Sequence, residues 1–328
     1  MEILVDKRVE LLAVIQTMIQ YWDNLALKYF NKKLFKCKYK EDVNKYFNKY
    51  KNHKTVKLYG ELCNNVQDFS AFINLILCYS EPPNFDNIAE FENNINNLDK
   101  QSIPYDKFIN GIKRFYEDTN FEYFFENNQS EYEMLINDYM NKNDLKENVN
   151  IIDNYLGSNT KNYTITICAL LMGNFGIKIT TNENITYNYS VISPFDYKEN
   201  KYIFGSKFSV LELLWHEISH LTINDLTKNY IDQFDINCKI VSNDFTKHFY
   251  PNIETIVNEY IIRAITSRLL EINYGEKIIE NLIQDNIQKG FKEIESIKNY
   301  ISKNCEKENK FTREEGYKEL MNYVINKI

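Results

Sequence analysis

A chain of 328 residues, 44% hydrophobic and 26% charged, has enough apolar material for a sizeable core, which excludes a disordered or fibrous protein. Its formal net charge of -7, with no long run of Lys or Arg, argues against nucleic acid as a partner, because that surface must attract phosphate. Asp6, Lys7, Arg8 and Glu10 interrupt the apolar pattern of the first twenty residues, so no secretory leader or membrane span is expected there.

From Met1 to about Gly157 the pattern is helical. Val5, Val9, Leu12, Ala13 and Ile19 recur at helical spacing with Gln16 as the polar interruption, and Leu4, Leu11, Ile15 and Met18 form a second stripe. A first helix covered on more than one side is expected. Pro82-Pro83 and Pro104 break the run, and Ser130-Glu131-Tyr132-Glu133 has the form of a capping box opening another helix. Cys37, Cys63, Cys78, Cys168, Cys238 and Cys305 are scattered without a Cys-x-x-Cys pair, which predicts buried free thiols rather than a zinc ribbon or a disulfide scaffold.

Between Asn162 and Phe204 Thr, Ile, Val and Tyr concentrate in Tyr163 to Leu171, Gly176 to Thr181 and Ile185 to Ile192, predicting three or four strands. In the last of these, Thr186, Asn188 and Ser190 alternate with Ile185, Tyr187, Tyr189 and Val191, as in a sheet with one covered face. Helical periodicity returns at Ser209, where Ser209-Val210-Leu211-Glu212 resembles a capping box. Further helices are expected at about 227 to 241, 252 to 273, 276 to 288, 291 to 303 and 313 to 327, the last opened by Thr312-Arg313-Glu314-Glu315. The expected fold is α+β and mainly helical, with a helical region over 1–157 and a region over 158–328 holding a small mixed sheet and the motif helix; the two can pack as one domain.

The chemistry concentrates in His216-Glu217-Ile218-Ser219-His220. Two histidines four apart on a helix differ by about 40° and project from one face, so their imidazoles can grip one ion. Glu217 follows the first histidine directly, close enough to take a proton from a water on that ion without ligating it. Half of the 4 histidines lie in this one turn, and random order would produce His-Glu-x-x-His in roughly three of a thousand such chains. A catalytic zinc takes a third protein ligand and keeps a position open, and Glu259, in the apolar helical stretch Asn258 to Ile265, is the candidate. An ion pair with Arg263 one turn later is the alternative use of that carboxylate. His248 and Tyr250, shortly before the Glu259 helix, are the candidates for stabilising an oxyanion. His53 reads as structural.

His-Glu-x-x-His followed some forty residues later by Asn-Glu on a helix resembles the gluzincin metallopeptidases, the thermolysin-like clan. The resemblance implies one zinc per chain held by His216, His220 and Glu259, with Glu217 as general base and a peptide or protein as substrate. In thermolysin-like enzymes the residue four after the glutamate ligand is acidic and orients a histidine; here it is Arg263, so Asn224, Asp225 and Asn258 become the candidates for orienting groups. A closer similarity is to an uncharacterised bacterial family of gluzincin-like proteins that begin with an Asp-x-Arg-Val-Glu-Leu-Leu-like helix and end the motif helix in Asn. Asp6 to Leu12 and Asn224 fit that pattern. The expected function is a zinc peptidase. The competing readings are an inactive zincin-fold module that binds peptide or protein, and a hydrolase of non-peptide amides. A cytoplasmic location is the default expectation, and secretion the expectation if a leader preceded the chain. Oligomeric state is left open.

Overall fold

The computed structural model describes residues 1–19, 26–28, 33–63, 70–91, 94, 104–141, 145–234, 252–306 and 313–328. It is mainly helical with a small mixed four-stranded sheet and a two-stranded hairpin, the α+β class expected from the pattern. Two compact units are present, one of Met1–Lys142 with Lys161–Gly205 and the other of Asn143–Thr160 with Ser206–Ile328. Neither is continuous in sequence. The expected division at residue 157 groups the strands with the motif helix; the contacts instead group them with the N-terminal helices and group residues 143–160 with the motif.

In the first unit, β1 (Glu2–Leu4) leads into α1 (Lys7–Thr17). The sequence pattern had the chain helical from its start, but Glu2 to Leu4 pair in parallel with Thr164 to Thr166, so a long-range partner overrides the local period. Asp6 caps α1 by accepting from the amides of Arg8 and Val9. Every residue from Arg8 to Gln16 is buried, which bears out a helix covered on more than one side. Helices α2 (Lys38–Phe47), α3 (Lys54–Cys63), α4 (Ser70–Leu77) and α5 (Tyr105–Thr119) surround it. α6 (Phe121–Asn127) and α7 (Gln129–Met140) follow. α7 opens one residue before the expected Ser130 cap, after Asn128 and without a side-chain cap. The aromatic residues fill this core: Phe47 meets Phe124 at 4.8 Å between centroids, and Tyr59 meets Phe72 at 4.8 Å. His53 is structural as expected, accepting from the amide of Thr55 and pairing with Asp118.

The sheet has the order β1-β2-β4-β3, with β2 (Tyr163–Ile167), β3 (Phe175–Thr180) and β4 (Thr186–Ile192). β2 lies parallel to both β1 and β4, and β3 runs antiparallel to β4. The alternation in β4 does not mark a wet face. Asn188 and Ser190 are buried, because Asn188 donates to the Lys161 carbonyl at 2.7 Å and Ser190 shares a hydrogen bond with the Tyr163 hydroxyl. The hairpin β5 (Asp196–Lys198) and β6 (Lys201–Ile203) turns through Glu199 and Asn200, both at positive φ, as a two-residue primed turn requires.

The second unit contains α8 (Leu145–Leu156), α9 (Lys207–Tyr230), α10 (Ile253–Tyr274), α11 (Glu276–Gln288), α12 (Ile294–Asn304) and α13 (Glu314–Lys327). α10 is its centre, packed against α9, α11, α12 and α13. The helix expected from 227 is the end of α9, which runs without Gly or Pro to Tyr230; residues 235–241 lie outside the described ones. The cap of α9 is Ser206 rather than Ser209: the Ser206 Oγ accepts from the Ser209 amide, so the pair that resembled a capping box is the helix's first turn. α13 begins at Glu314, and Thr312 of its expected capping box lies outside the described residues. Cys37, Cys63, Cys78, Cys168 and Cys305 are free and buried, while Cys238 lies outside the described residues. No helix among the described residues is long and apolar enough to cross a membrane.

Candidate metal centre

Two long helices of the second unit build the site. α9 is anchored behind its motif face: the Trp215 indole donates to the Asn148 carbonyl at 2.9 Å, and Val210, Leu211, Leu214 and Ile218 are buried around it. These contacts fix the rotation of α9, and with it the direction of His216 and His220, one turn apart. α10 is capped by Asn252, whose side chain accepts from the Thr255 amide at 2.8 Å, and ends at Gly275 with φ 90. Between them α10 is buried continuously from Ile256 to Ser267, polar residues included.

Facing helices bring three donors together. His216 Nε2 and His220 Nε2 are 3.2 Å apart, and Glu259 Oε1 lies 3.6 Å from the first and 3.4 Å from the second. A tetrahedral ion with bonds of about 2.0–2.1 Å sets its ligands about 3.3–3.4 Å apart, close to the 3.2, 3.4 and 3.6 Å edges of this triangle. The group could hold a metal ion. Glu217 is 4% exposed in the same turn and within electrostatic reach of all three donors. Burial raises its carboxyl above the usual range, partly offset by the two histidines.

One of the two histidines is oriented by a neighbouring side chain, while the buried Nδ1 of His216 has no hydrogen-bond partner among the described residues. The His220 Nδ1 lies 3.0 Å from Asn224 Oδ1; an Nδ1–H donated there turns the Nε2 edge of the ring toward Glu259. Of the three orienting candidates, Asn224 takes that role for His220, Asp225 is exposed, and Asn258 is buried with its Oδ1 lacking a hydrogen-bond partner. Burial opposes a charge on His220, but hydrogen bonding to Glu259 and its negative charge outweigh that and raise the imidazole to about 9. For Glu259 burial acts the other way, yet Arg263 and the histidines hold it well below the usual carboxylate range.

Glu259 presents one oxygen to each of the two partners expected for it, the histidines and Arg263. Its Oε1 faces the histidines while its Oε2 lies 2.7 Å from an Arg263 guanidinium nitrogen. This contact is close but poorly aligned for a hydrogen bond, so it acts as a charge contact. Arg263 in turn donates to Asn286 Oδ1 at 2.9 Å and lies 4.5 Å over the Phe291 ring. Nothing in the sequence singled out Asn286 or Phe291, which are 23 and 28 positions beyond Arg263 and carry no motif. His248 and Tyr250, the expected oxyanion donors, lie outside the described residues.

Fold and site define a mainly helical α+β protein with a buried His-His-Glu group able to hold a metal ion. The chain belongs to the family described as a domain of unknown function, DUF4932, whose model matches residues 1–323. No curated protein and no solved structure matches the chain.

Proposed function

We propose that this protein is a zinc-dependent peptidase. The observation that carries the reading is the donor triangle of His216, His220 and Glu259, whose edges fit a zinc ion, with the buried carboxyl of Glu217 in the same helical turn. Two imidazoles and one carboxylate are a common catalytic zinc set, because they leave a fourth position for water or substrate. Zinc held there supplies Lewis acidity, lowering the pKa of a water toward neutrality and polarising a carbonyl.

The remaining steps belong to the chain's own groups. Glu217 accepts a proton from the attacking water as its oxygen bonds to the scissile carbonyl carbon. It then returns that proton to the amide nitrogen as the C–N bond breaks, so the carboxylate is regenerated. Burial serves this role, because a carboxyl drawn away from water is a better base and passes the proton on in a dry site. His248 or Tyr250 supplies the donor for the oxyanion in this proposal. A site that only bound peptide would have no use for a buried carboxyl at Glu217, which favours catalysis over an inactive binding module.

The test has two readouts. Purified protein should contain about one equivalent of zinc, and Glu217→Gln should keep that zinc while abolishing cleavage of a peptide library. Metal-free protein from chelator-free purification sinks the site; zinc-loaded protein that cleaves nothing moves the function to binding.

A further inference from the structure

We propose that Arg263 is a positioning residue that restricts Glu259 to a single ligating oxygen, and that Asn286 and Phe291 hold Arg263 in place to do so. The inference rests on the metal centre proposed above. A carboxylate has two oxygens and turns freely about its last bond. If both reached the ion, they would fill the position that a catalytic site keeps open for water or substrate. Here the two oxygens are assigned differently: Oε1 is 3.4 and 3.6 Å from the two Nε2 atoms, and Oε2 is 2.7 Å from the guanidinium.

That assignment is enforced from outside the motif. Glu259 and Arg263 share one face of α10, and by itself an i,i+4 pair is weak and mobile. Asn286 of α11 and Phe291 just beyond it remove the mobility, since both are buried and they hold the guanidinium by an edge and a face. A planar fork can make an edge bond, a ring contact and a charge contact at once, which a lysine cannot. The position that is acidic in thermolysin-like enzymes is thus occupied by a cation acting on the glutamate instead of an anion acting on a histidine.

The experiment is cobalt substitution of wild type and Arg263→Met, read by electronic absorption, with X-ray absorption at the zinc edge of the zinc-loaded forms. Wild type is expected to show a coordination number of about four, and Arg263→Met about five, with weakened cobalt bands, as Glu259 turns to chelate. A merely structural arginine would leave both spectra unchanged in folded protein. Identical spectra for the two proteins, or two-oxygen ligation already in wild type, overturn the proposal. If Arg263→Met does not fold by far-UV circular dichroism, Asn286→Ala replaces it with the same expected direction, and an unchanged spectrum there overturns it equally. Wild type that takes up neither zinc nor cobalt is a different failure, that of the metal centre itself, and removes this inference with it.

Discussion

Replacing Glu10 by Gln should change how stability depends on pH. Glu10 is 1% exposed in α1, where it accepts from the Tyr39 hydroxyl and from the Cys168 thiol at 3.2 Å. Burial raises its carboxyl from the ordinary 4.5 to about 7, against the two hydrogen bonds, which favour the charged form. The folded state therefore holds this proton more tightly than the unfolded chain does. Its contribution is fully present below about 4.5 and is lost as pH rises through about 7. At about 1.4 kcal/mol per pH unit the loss amounts to ~3 kcal/mol. Gln cannot ionise, so urea unfolding followed by far-UV circular dichroism should show the variant gaining about that much on wild type between pH 4.5 and 8. A difference that stays constant over this range would refute the assignment of a buried, proton-retaining carboxyl.

Asn224→Ala should weaken zinc binding by about 10- to 100-fold in competition with a chelator, because His220 loses the acceptor that orients its ring. Trp215→Ala should destabilise the protein by about 3–5 kcal/mol in denaturant unfolding, since a fully buried indole is removed together with its hydrogen bond to the Asn148 carbonyl. Removing zinc with a chelator should lower the Tm by several degrees, because free zinc at about a thousandfold its Kd stabilises the folded state by ~4 kcal/mol. An unchanged melting curve would mean the His-His-Glu group holds no ion in solution.

The motif itself was legible because its information is local. His216, Glu217 and His220 lie within one helical turn, so the geometry of any α-helix puts the histidines on a common face. The apolar periodicity of α1 and the strand composition of 163–192 were legible for the same reason, and so was the partner helix, whose apolar run made Glu259 conspicuous. The strand at Glu2–Leu4 was not, since three residues form it only because Tyr163–Ile167 offers them an open edge. The buried polar face of β4 was equally hidden, because Asn188 and Ser190 are satisfied by Lys161 and Tyr163, 27 positions away.

The Asp6 to Leu12 segment shows both sides of this division. Its sequence marked it as a motif, and the structure shows Asp6 capping α1, Arg8 bound to Asp6 and to the Tyr79 carbonyl, and Glu10 sealed in the core. A conspicuous pattern there is a buried polar frame. At the candidate metal centre, sequence by itself determined which helix carries the paired histidines and marked Glu217 and Glu259 as the candidate carboxylates, leaving Glu259 between the histidines and Arg263. Only tertiary structure decided that Glu259 faces both histidines with one oxygen and Arg263 with the other, and that Asn286 and Phe291 fix that arginine. Side-chain spacing on one helix follows from the chain's own geometry, whereas the rotation of two helices about their axes is set by everything packed around them.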